Sequence, residues 1–208
     1  FEREELAPYW DAVSYDEGRV SITSRFEPYH GRMHLLMDDY LINSARSLNE
    51  LTLTIDLEGQ EDVSLRFYHK SLGDEPNGMP EQFDNHYNAD GVALSLDGAR
   101  WYRLISLTPT EGVQSEYREF RVPLDPVLDR AFGRFHDRVQ IRFQQYDNSP
   151  ADQDGFAFDY IQVVPTDRTP PEFDGLHSVQ PGQNSVRLGW FAATDSSLPI
   201  RYRVYMSS

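Results

Sequence analysis

The sequence has no cysteine, a single lysine and no long apolar run. Without cysteine, the chain can form neither a disulfide framework nor a thiolate metal site. Because it contains no run of about 18 or more apolar residues, we expect no membrane insertion. The 208 residues carry a formal net charge of −15, and such an acidic chain lacks the basic footprint that nucleic acids require. We therefore expect no nucleic-acid partner.

Apolar and β-branched residues recur at every second position along most of the chain, which is the period of a strand with one buried face. Apolar residues make up 39% of the sequence, enough for a real core. Asp97-Gly98 lies between two such segments and predicts a hairpin. The sequence therefore predicts an all-β chain. The predicted strands are 19–23, 34–37, 51–57, 63–68, 91–96, 101–105, 117–122, 139–148 and 154–163.

One helix is predicted over 126–135. Asp125 is the expected N-cap, and Pro126 suits the first helical position because its missing N–H is not needed there.

A Pro-rich stretch, 165–171, divides the chain. Proline interrupts a strand ladder and stiffens a short connection, so this stretch is predicted to link a domain over 1–164 to a second one over 172–208. In the second part, 173–179, 185–191 and 200–205 are predicted strands. The chain begins without a methionine, and we expect it to be part of a larger protein.

Asp159 stands inside an apolar strand. An isolated buried charge is too costly, so this carboxylate must be paired or must hold a cation. Two interpretations remain open: a structural calcium site, or an ordinary carboxylate that accepts hydrogen bonds from backbone amides or faces solvent on an edge.

The loop over 69–90 is long for a sandwich and rich in polar groups. Such loops tend to be functional or disordered. Asp74, Glu75 and Asp90 are candidates for a second calcium site, and Trp101 and Tyr102 are candidates for a ligand groove beside the loop. An ordinary solvated loop is the alternative.

The strand 139–148 is expected to expose Arg142, Gln144 and Tyr146 on the face opposite its core residues. Polar and aromatic groups together on a sheet face can bind sugars by ring stacking and amide hydrogen bonds. The alternative is a polar outer face without a ligand.

The remaining patterns in the sequence give little support for zinc binding or catalysis. His30 and His34 are four residues apart, as in a helical zinc pair, but Gly31 and the following strand favour structural histidines. Motifs of known hydrolases, nucleotide-binding loops and metalloproteases are absent from the sequence. We therefore expect a protein that is not an enzyme.

Several segments of the first part of the chain match one known type of module in the same order. They are Phe1-Glu2 with Trp10, then 30–38, 48–57, 67–80, 90–102, 143–147 and 154–159. On these segments, the chain from residue 1 to about 164 resembles a MAM-like jelly-roll module of large secreted bacterial proteins. Such modules are similar to the calcium-containing carbohydrate-binding jelly rolls, in which an early Glu and a late Asp hold a structural cation. The resemblance implies that Glu2 and Asp159 hold calcium, with a backbone carbonyl near Gly31 or Arg32. Asp38 or Asp39 is a further candidate ligand of this site.

The end of the chain contains Pro170-Pro171, 186–190 and 202–205. On these segments it resembles the opening strands of a fibronectin type III domain, a partial immunoglobulin-like sandwich. The combined expectation is an extracellular or cell-surface adhesion or carbohydrate-binding module with structural calcium. The alternative is a structural subunit that self-associates through its sandwich edges or binds another protein chain.

Overall fold

The structure is a computed structural model. In it the chain forms two units, Phe1–Pro165 and Thr166–Ser208. It describes residues 1–3, 5–39, 46–108, 116–131, 136–148, 155–166, 169–195, 200 and 202–205.

The first unit is a β-sandwich of two antiparallel sheets, which confirms the predicted all-β class. One sheet has six strands in the order β1-β4-β10-β7-β8-β6. These strands are β1 (Trp10–Asp16), β4 (Ser47–Ile55), β6 (Gln82–Asp84), β7 (Gly91–Ser95), β8 (Arg100–Ser106) and β10 (Val139–Asp147).

The other sheet has five strands in the order β2-β3-β11-β5-β9. The five are β2 (Gly18–Thr23), β3 (His34–Asp39), β5 (Val63–Ser71), β9 (Arg118–Pro123) and β11 (Gly155–Pro165). Sequence patterns did not predict β1 and β6.

The strand order is that of a jelly roll. Eight strands, β4-β10-β7-β8 in one sheet and β3-β11-β5-β9 in the other, are connected so that the chain crosses between the sheets at most steps. The remaining strands β1, β2 and β6 extend the edges. The predicted hairpin at Asp97-Gly98 is confirmed, because it joins the paired strands β7 and β8.

Aromatic rings fill the space between the sheets. Phe67 from β5 meets Phe143 from β10 edge to face, with their centroids 5.4 Å apart, and Phe158 from β11 lies 5.2 Å from Phe143. All three side chains are fully buried. The alternating apolar residues from which β10 was predicted are thus the residues that face the core.

The alternation of β11 breaks at Asp159. The pairing of β11 with β5 shifts between Asp159 and Gln162, and Tyr160 has a φ of 50°. The shift brings Ile161 and Val163 against the core and leaves Tyr160 exposed. Strict alternation after Phe156 and Phe158 in the sequence predicts Tyr160 on the core face of this strand, and that prediction is wrong.

The helix α1 spans Asp125–Ala131, and residues 132–135 of the predicted helix lie outside the described residues. The Asp125 carboxylate accepts hydrogen bonds from the backbone amides of Asp62 and Val63, both at 3.0 Å. The Leu124 carbonyl accepts the first helical bond, from the Leu128 amide. The predicted N-cap role of Asp125 is thus wrong: its side chain attaches the helix to β5.

The second unit contains an antiparallel pair, β12 (Leu176–Pro181) and β13 (Val186–Trp190). Residues 202–205 form no strand, contrary to the prediction for 200–205. Most of the apolar side chains of this unit are exposed, among them Val179, Val186 and Phe191. Across the described residues of both units, no helix is long and apolar enough to cross a membrane.

Candidate functional site

The outer face of the six-stranded sheet is covered by the chain itself. Residues 72–90, here called the cover segment, include β6, which pairs with β8. Met79, Phe83 and Ala89 of this segment pack with Ala93 and Trp101 in a second apolar cluster. The cover segment therefore occupies the face that the sequence predicted as a ligand groove.

The predicted ligand-binding side chains Arg142, Gln144 and Tyr146 are buried, so the prediction that they are exposed is wrong. The Gln144 amide donates hydrogen bonds to two carbonyls of the cover segment, those of Tyr87 and Ala89. Trp101 is also buried.

Arg142 is held by three separate contacts. Its guanidinium lies 3.7 Å from the centre of the Trp101 ring and donates to Glu50 Oε1 at 2.9 Å and to the Asn85 carbonyl at 2.8 Å. Burial lowers the pKa of Arg142, and the Glu50 carboxylate opposes that shift. Glu50 Oε2 also contacts His86 Nδ1 at 2.9 Å. Arg142 and Glu50 are buried and bonded to each other, so a ligand in solvent does not reach them.

Tyr102 is half-buried on β8, where it pairs with Gln82 and Leu94. Because Leu94 belongs to the sandwich core, Tyr102 lies on the opposite face of the sheet from Trp101. The two predicted groove residues therefore do not line one surface.

Glu2 and Asp159 both accept hydrogen bonds from the turn around Gly31. Glu2 Oε2 accepts a hydrogen bond from the Arg32 amide at 3.0 Å, and Asp159 Oδ2 accepts one from the His30 amide at 2.9 Å. The Arg32 amide is the main cause that holds the pKa of Glu2 below its ordinary value. Both carboxylates are thus bonded by backbone amides of this turn, and calcium binding here stays a prediction.

Asp38 does not join Glu2 and Asp159. It lies near the far end of β3 and binds Arg19 through two hydrogen bonds, one of 2.8 Å from Arg19 Nε. The register pairs Asp38 with Gly155, at the start of β11, whereas Asp159 is four residues further along. At about 3.3 Å per residue, that separation is about 13 Å.

His30 and His34 do not form a pair of metal ligands. His34 is buried on β3 and its Nδ1 contacts the Tyr117 hydroxyl, whereas His30 is exposed in the preceding loop with its ring beside Tyr160. Burial lowers the pKa of His34.

The outer face of the five-stranded sheet carries a partly exposed group that we call the tyrosine surface, formed by Tyr29, Tyr68, Tyr160, Arg66, Glu119 and Gln162. Tyr29 stacks on Tyr68 with ring centroids 3.6 Å apart. Arg66 lies 5.6 Å from the centre of the Tyr160 ring. Tyr29 and Tyr160 are 47% and 37% exposed, so ring faces and polar groups reach solvent together.

Hydrogen bonds fix the polar groups of the tyrosine surface. Arg66 donates to Glu119 at 2.6 Å and to Gln162 at 3.4 Å, and the Tyr68 hydroxyl donates to Glu119 at 3.2 Å. Burial raises the pKa of Tyr68 to about 12, which keeps its hydroxyl protonated. Burial opposes the ionisation of Glu119, but hydrogen bonds from arginines hold its pKa below the ordinary value. The surface is therefore organised before any ligand arrives.

A cavity of about 690 Å³ adjoins the tyrosine surface. Its walls include Trp10, Leu53 and Ile161, and its lining shares Tyr160 and Gln162 with the tyrosine surface. The register shift after Asp159 brings Tyr160 to this shared position. The alternation of the sequence did not predict that position.

A group of carboxylates lies where the cover segment meets the end of β10. One oxygen each of Asp74, Glu75 and Asp147 lies within 4.8 Å of the others, and these three residues are the acidic cluster. The sequence had grouped Asp90, instead of Asp147, with Asp74 and Glu75. Asp90 lies nearby, but its oxygens accept the amides of Tyr146 and Asn77.

Burial, followed by the charge of Asp90, raises the pKa of Asp74 well above its ordinary value. Burial likewise raises the pKa of Asp90, to about 7. Burial and neighbouring acids thus oppose the ionisation of Asp74 and Asp90 at this end of the sheet.

Comparison with known proteins gives distant structural likenesses. No family model and no curated protein matches the sequence. The family 11 carbohydrate-binding module of Clostridium thermocellum, in complex with a β-1,3-1,4-mixed-linked tetrasaccharide, aligns with 78% of this chain and 92% of its own, at 16% identity and a TM-score of 0.43. A family 30 carbohydrate-binding module aligns with 77% of this chain and 93% of its own, at 16% identity and a TM-score of 0.47.

An exo-β-agarase aligns with 80% of this chain and 24% of its own, at 12% identity and a TM-score of 0.49. At these identities the likenesses concern the β-sandwich fold alone. The MAM-like and fibronectin type III resemblances, and the expectation that the chain is not an enzyme, stay predictions.

Proposed function

We propose that this chain is a carbohydrate-binding module that binds a neutral glycan at the tyrosine surface. The observation that carries the proposal is the exposure of Tyr29 and Tyr160 beside fixed polar groups on one sheet.

The chemistry of the surface suits a sugar. A sugar ring has an apolar face of C–H groups, which packs on an aromatic ring, and a rim of hydroxyls, which needs donors and acceptors. Arg66, Glu119 and Gln162 provide donors and acceptors within the same surface. Because these side chains are already ordered by one another, binding costs less conformational entropy.

The shared lining suggests an extended ligand. Tyr160 belongs both to the tyrosine surface and to the adjoining cavity, so an oligosaccharide stacked there would continue past Trp10. The net charge of −15 favours neutral glycans over polyanionic ones. We also propose that the module is extracellular and acts in adhesion, because glycan binding fits that role.

The test is Tyr29→Ala, measured against a panel of neutral soluble β-glucans by affinity electrophoresis and calorimetry. We expect wild type to bind at least one member. The variant should bind about tenfold more weakly, because an aromatic contact contributes about 0.5 to 1.5 kcal/mol beyond its buried area.

Tyr87→Ala is the matched control, because Tyr87 is as exposed as Tyr29 but lies on the cover segment of the other sheet. It should bind like wild type. Equal loss in both variants, or no binding of any glycan by wild type, would contradict the proposal.

A second candidate function is self-association through the second unit. Its β12–β13 pair exposes Val179 and Val186, and Phe191 directly after β13 is exposed too. Apolar groups on a short hairpin favour an added partner. We expect sedimentation velocity to show a concentration-dependent dimer or larger species, weakened by Val186→Lys. A sedimentation coefficient that stays monomeric over a hundredfold range of concentration argues against this candidate.

A further inference from the structure

The acidic cluster joins two distant parts of the chain. Asp74 and Glu75 lie at the start of the cover segment, and Asp147 is the last residue of β10. One carboxylate oxygen from each lies within 4.8 Å of the others. Asp74 is 8% exposed and Asp147 is fully buried.

A second observation points to a ligand. Asp74 Oδ1 accepts a hydrogen bond from the Gln145 amide at 2.8 Å, whereas the buried Asp74 Oδ2 has no hydrogen-bond partner. A buried carboxylate oxygen without a donor is costly, and neighbouring carboxylates increase that cost. A bound cation would remove both costs.

We propose that the acidic cluster binds a calcium ion that attaches the cover segment to β10. Calcium takes six to eight oxygen ligands at about 2.3–2.6 Å, so ligands on opposite sides of the ion lie about 4.8 Å apart. The spacing within the cluster meets that limit. The ligands are all oxygens, which excludes a site built for soft metals.

Nearby hydrogen bonds hold the cluster in place without using the vacant Asp74 oxygen. The Asn148 amide donates to Glu75 Oε1 at 3.1 Å, and the Asn77 side chain donates to the Tyr146 carbonyl at 2.9 Å. Asp90 fixes the same strand end through the Tyr146 amide at 2.8 Å. In this arrangement Asp90 positions the strand and the cover segment, and the other three acids bind the ion.

The experiment is thermal unfolding of the full chain in calcium chloride, in magnesium chloride and in EGTA at equal ionic strength. With calcium at a hundredfold excess over its dissociation constant, we expect the melting temperature to rise by about 5 to 10 °C. Magnesium should have a smaller effect, because it requires a stricter octahedral geometry.

Asp74→Asn keeps an acceptor for Gln145 and removes the negative charge, so it should fold and lose the calcium response. Glu81→Gln, an exposed acid of the cover segment, is the charge-matched control and should respond like wild type. Calorimetry should give one calcium fewer for Asp74→Asn than for wild type.

Glu2→Gln separates this site from the one that the sequence resemblance implies. If Glu2→Gln abolishes the response while Asp74→Asn keeps it, calcium binds at the other end of the sandwich and the proposal is overturned. A wild type that neither contains calcium by elemental analysis nor responds to it also overturns the proposal, and a bound proton then satisfies Asp74.

Discussion

Glu50→Gln is expected to lower the free energy of unfolding of the first unit by about 3 to 5 kcal/mol, the range found when one partner of a buried ion pair is removed. Glu50 is 2% exposed and its carboxylate is 2.9 Å from the Arg142 guanidinium. The substitution preserves the shape of the side chain but leaves the arginine charge buried without a carboxylate. Urea unfolding followed by tryptophan fluorescence is the measurement, since Trp101 lies under Arg142.

Asp84→Asn is the matched control. Asp84 and Arg100 form an ion pair at 3.1 Å in which both side chains are mostly exposed, and solvent screens such pairs. We expect no measurable change in unfolding. If the two variants lose the same free energy of unfolding, the burial of Glu50 does not cause its loss of stability.

Acidification from pH 7 to pH 4 is expected to cost the first unit about 3 kcal/mol through His69 alone, since each pKa unit corresponds to about 1.4 kcal/mol. Burial lowers the pKa of His69 from 6.5 to about 3. The unfolded chain therefore takes up a proton that the folded chain excludes. Stability falls as the pH decreases below 6.5, until the folded pKa is reached.

The surroundings of His69 explain this exclusion. Its Nδ1 bonds the Ala157 carbonyl at 3.2 Å, so Nδ1–H is the donor, and the buried Nε2 has no partner. Phe156 and Phe158 lie against the ring, with centroids 4.6 and 4.8 Å away. A second proton would place a charged N–H among these rings without an acceptor.

His69→Phe should remove this part of the pH dependence, whatever its effect at pH 7. The slope of unfolding free energy against pH between 6.5 and 4 is the quantity to compare. His30→Phe replaces an exposed imidazole and should keep the wild-type slope. A His69→Phe slope equal to that of wild type would show that other groups cause the acid sensitivity.

The sequence predicted most strands because alternation reports one buried face, and the core residues of β10 and β5 alternate without interruption. It missed β1 because nearly all of that strand's side chains are exposed. Alternation also predicted the wrong face for Tyr160, because a register shift there changes which side chains of β11 face the core. Short edge strands and bulges leave little periodic signal.

For the candidate site, the sequence identified side chains but not their surroundings. Alternation correctly assigned Arg142 and Gln144 to the non-core face of β10, but only the path of the cover segment determines whether that face meets solvent. The acidic cluster joins residues more than seventy positions apart, so spacing could not reveal it. The available signal was Asp147, an acid at the end of a predicted strand.

The outer face of the six-stranded sheet behaves as a receptor whose ligand is already tethered to it. Arg142 and Gln144 bind the carbonyls of Asn85, Tyr87 and Ala89, which are the contacts a separate ligand would need. A tethered segment acts at a high effective concentration, so an outside molecule competes poorly for this face. Under the proposed function, recognition of a glycan takes place on the opposite sheet, and the two faces of one sandwich then have separate tasks.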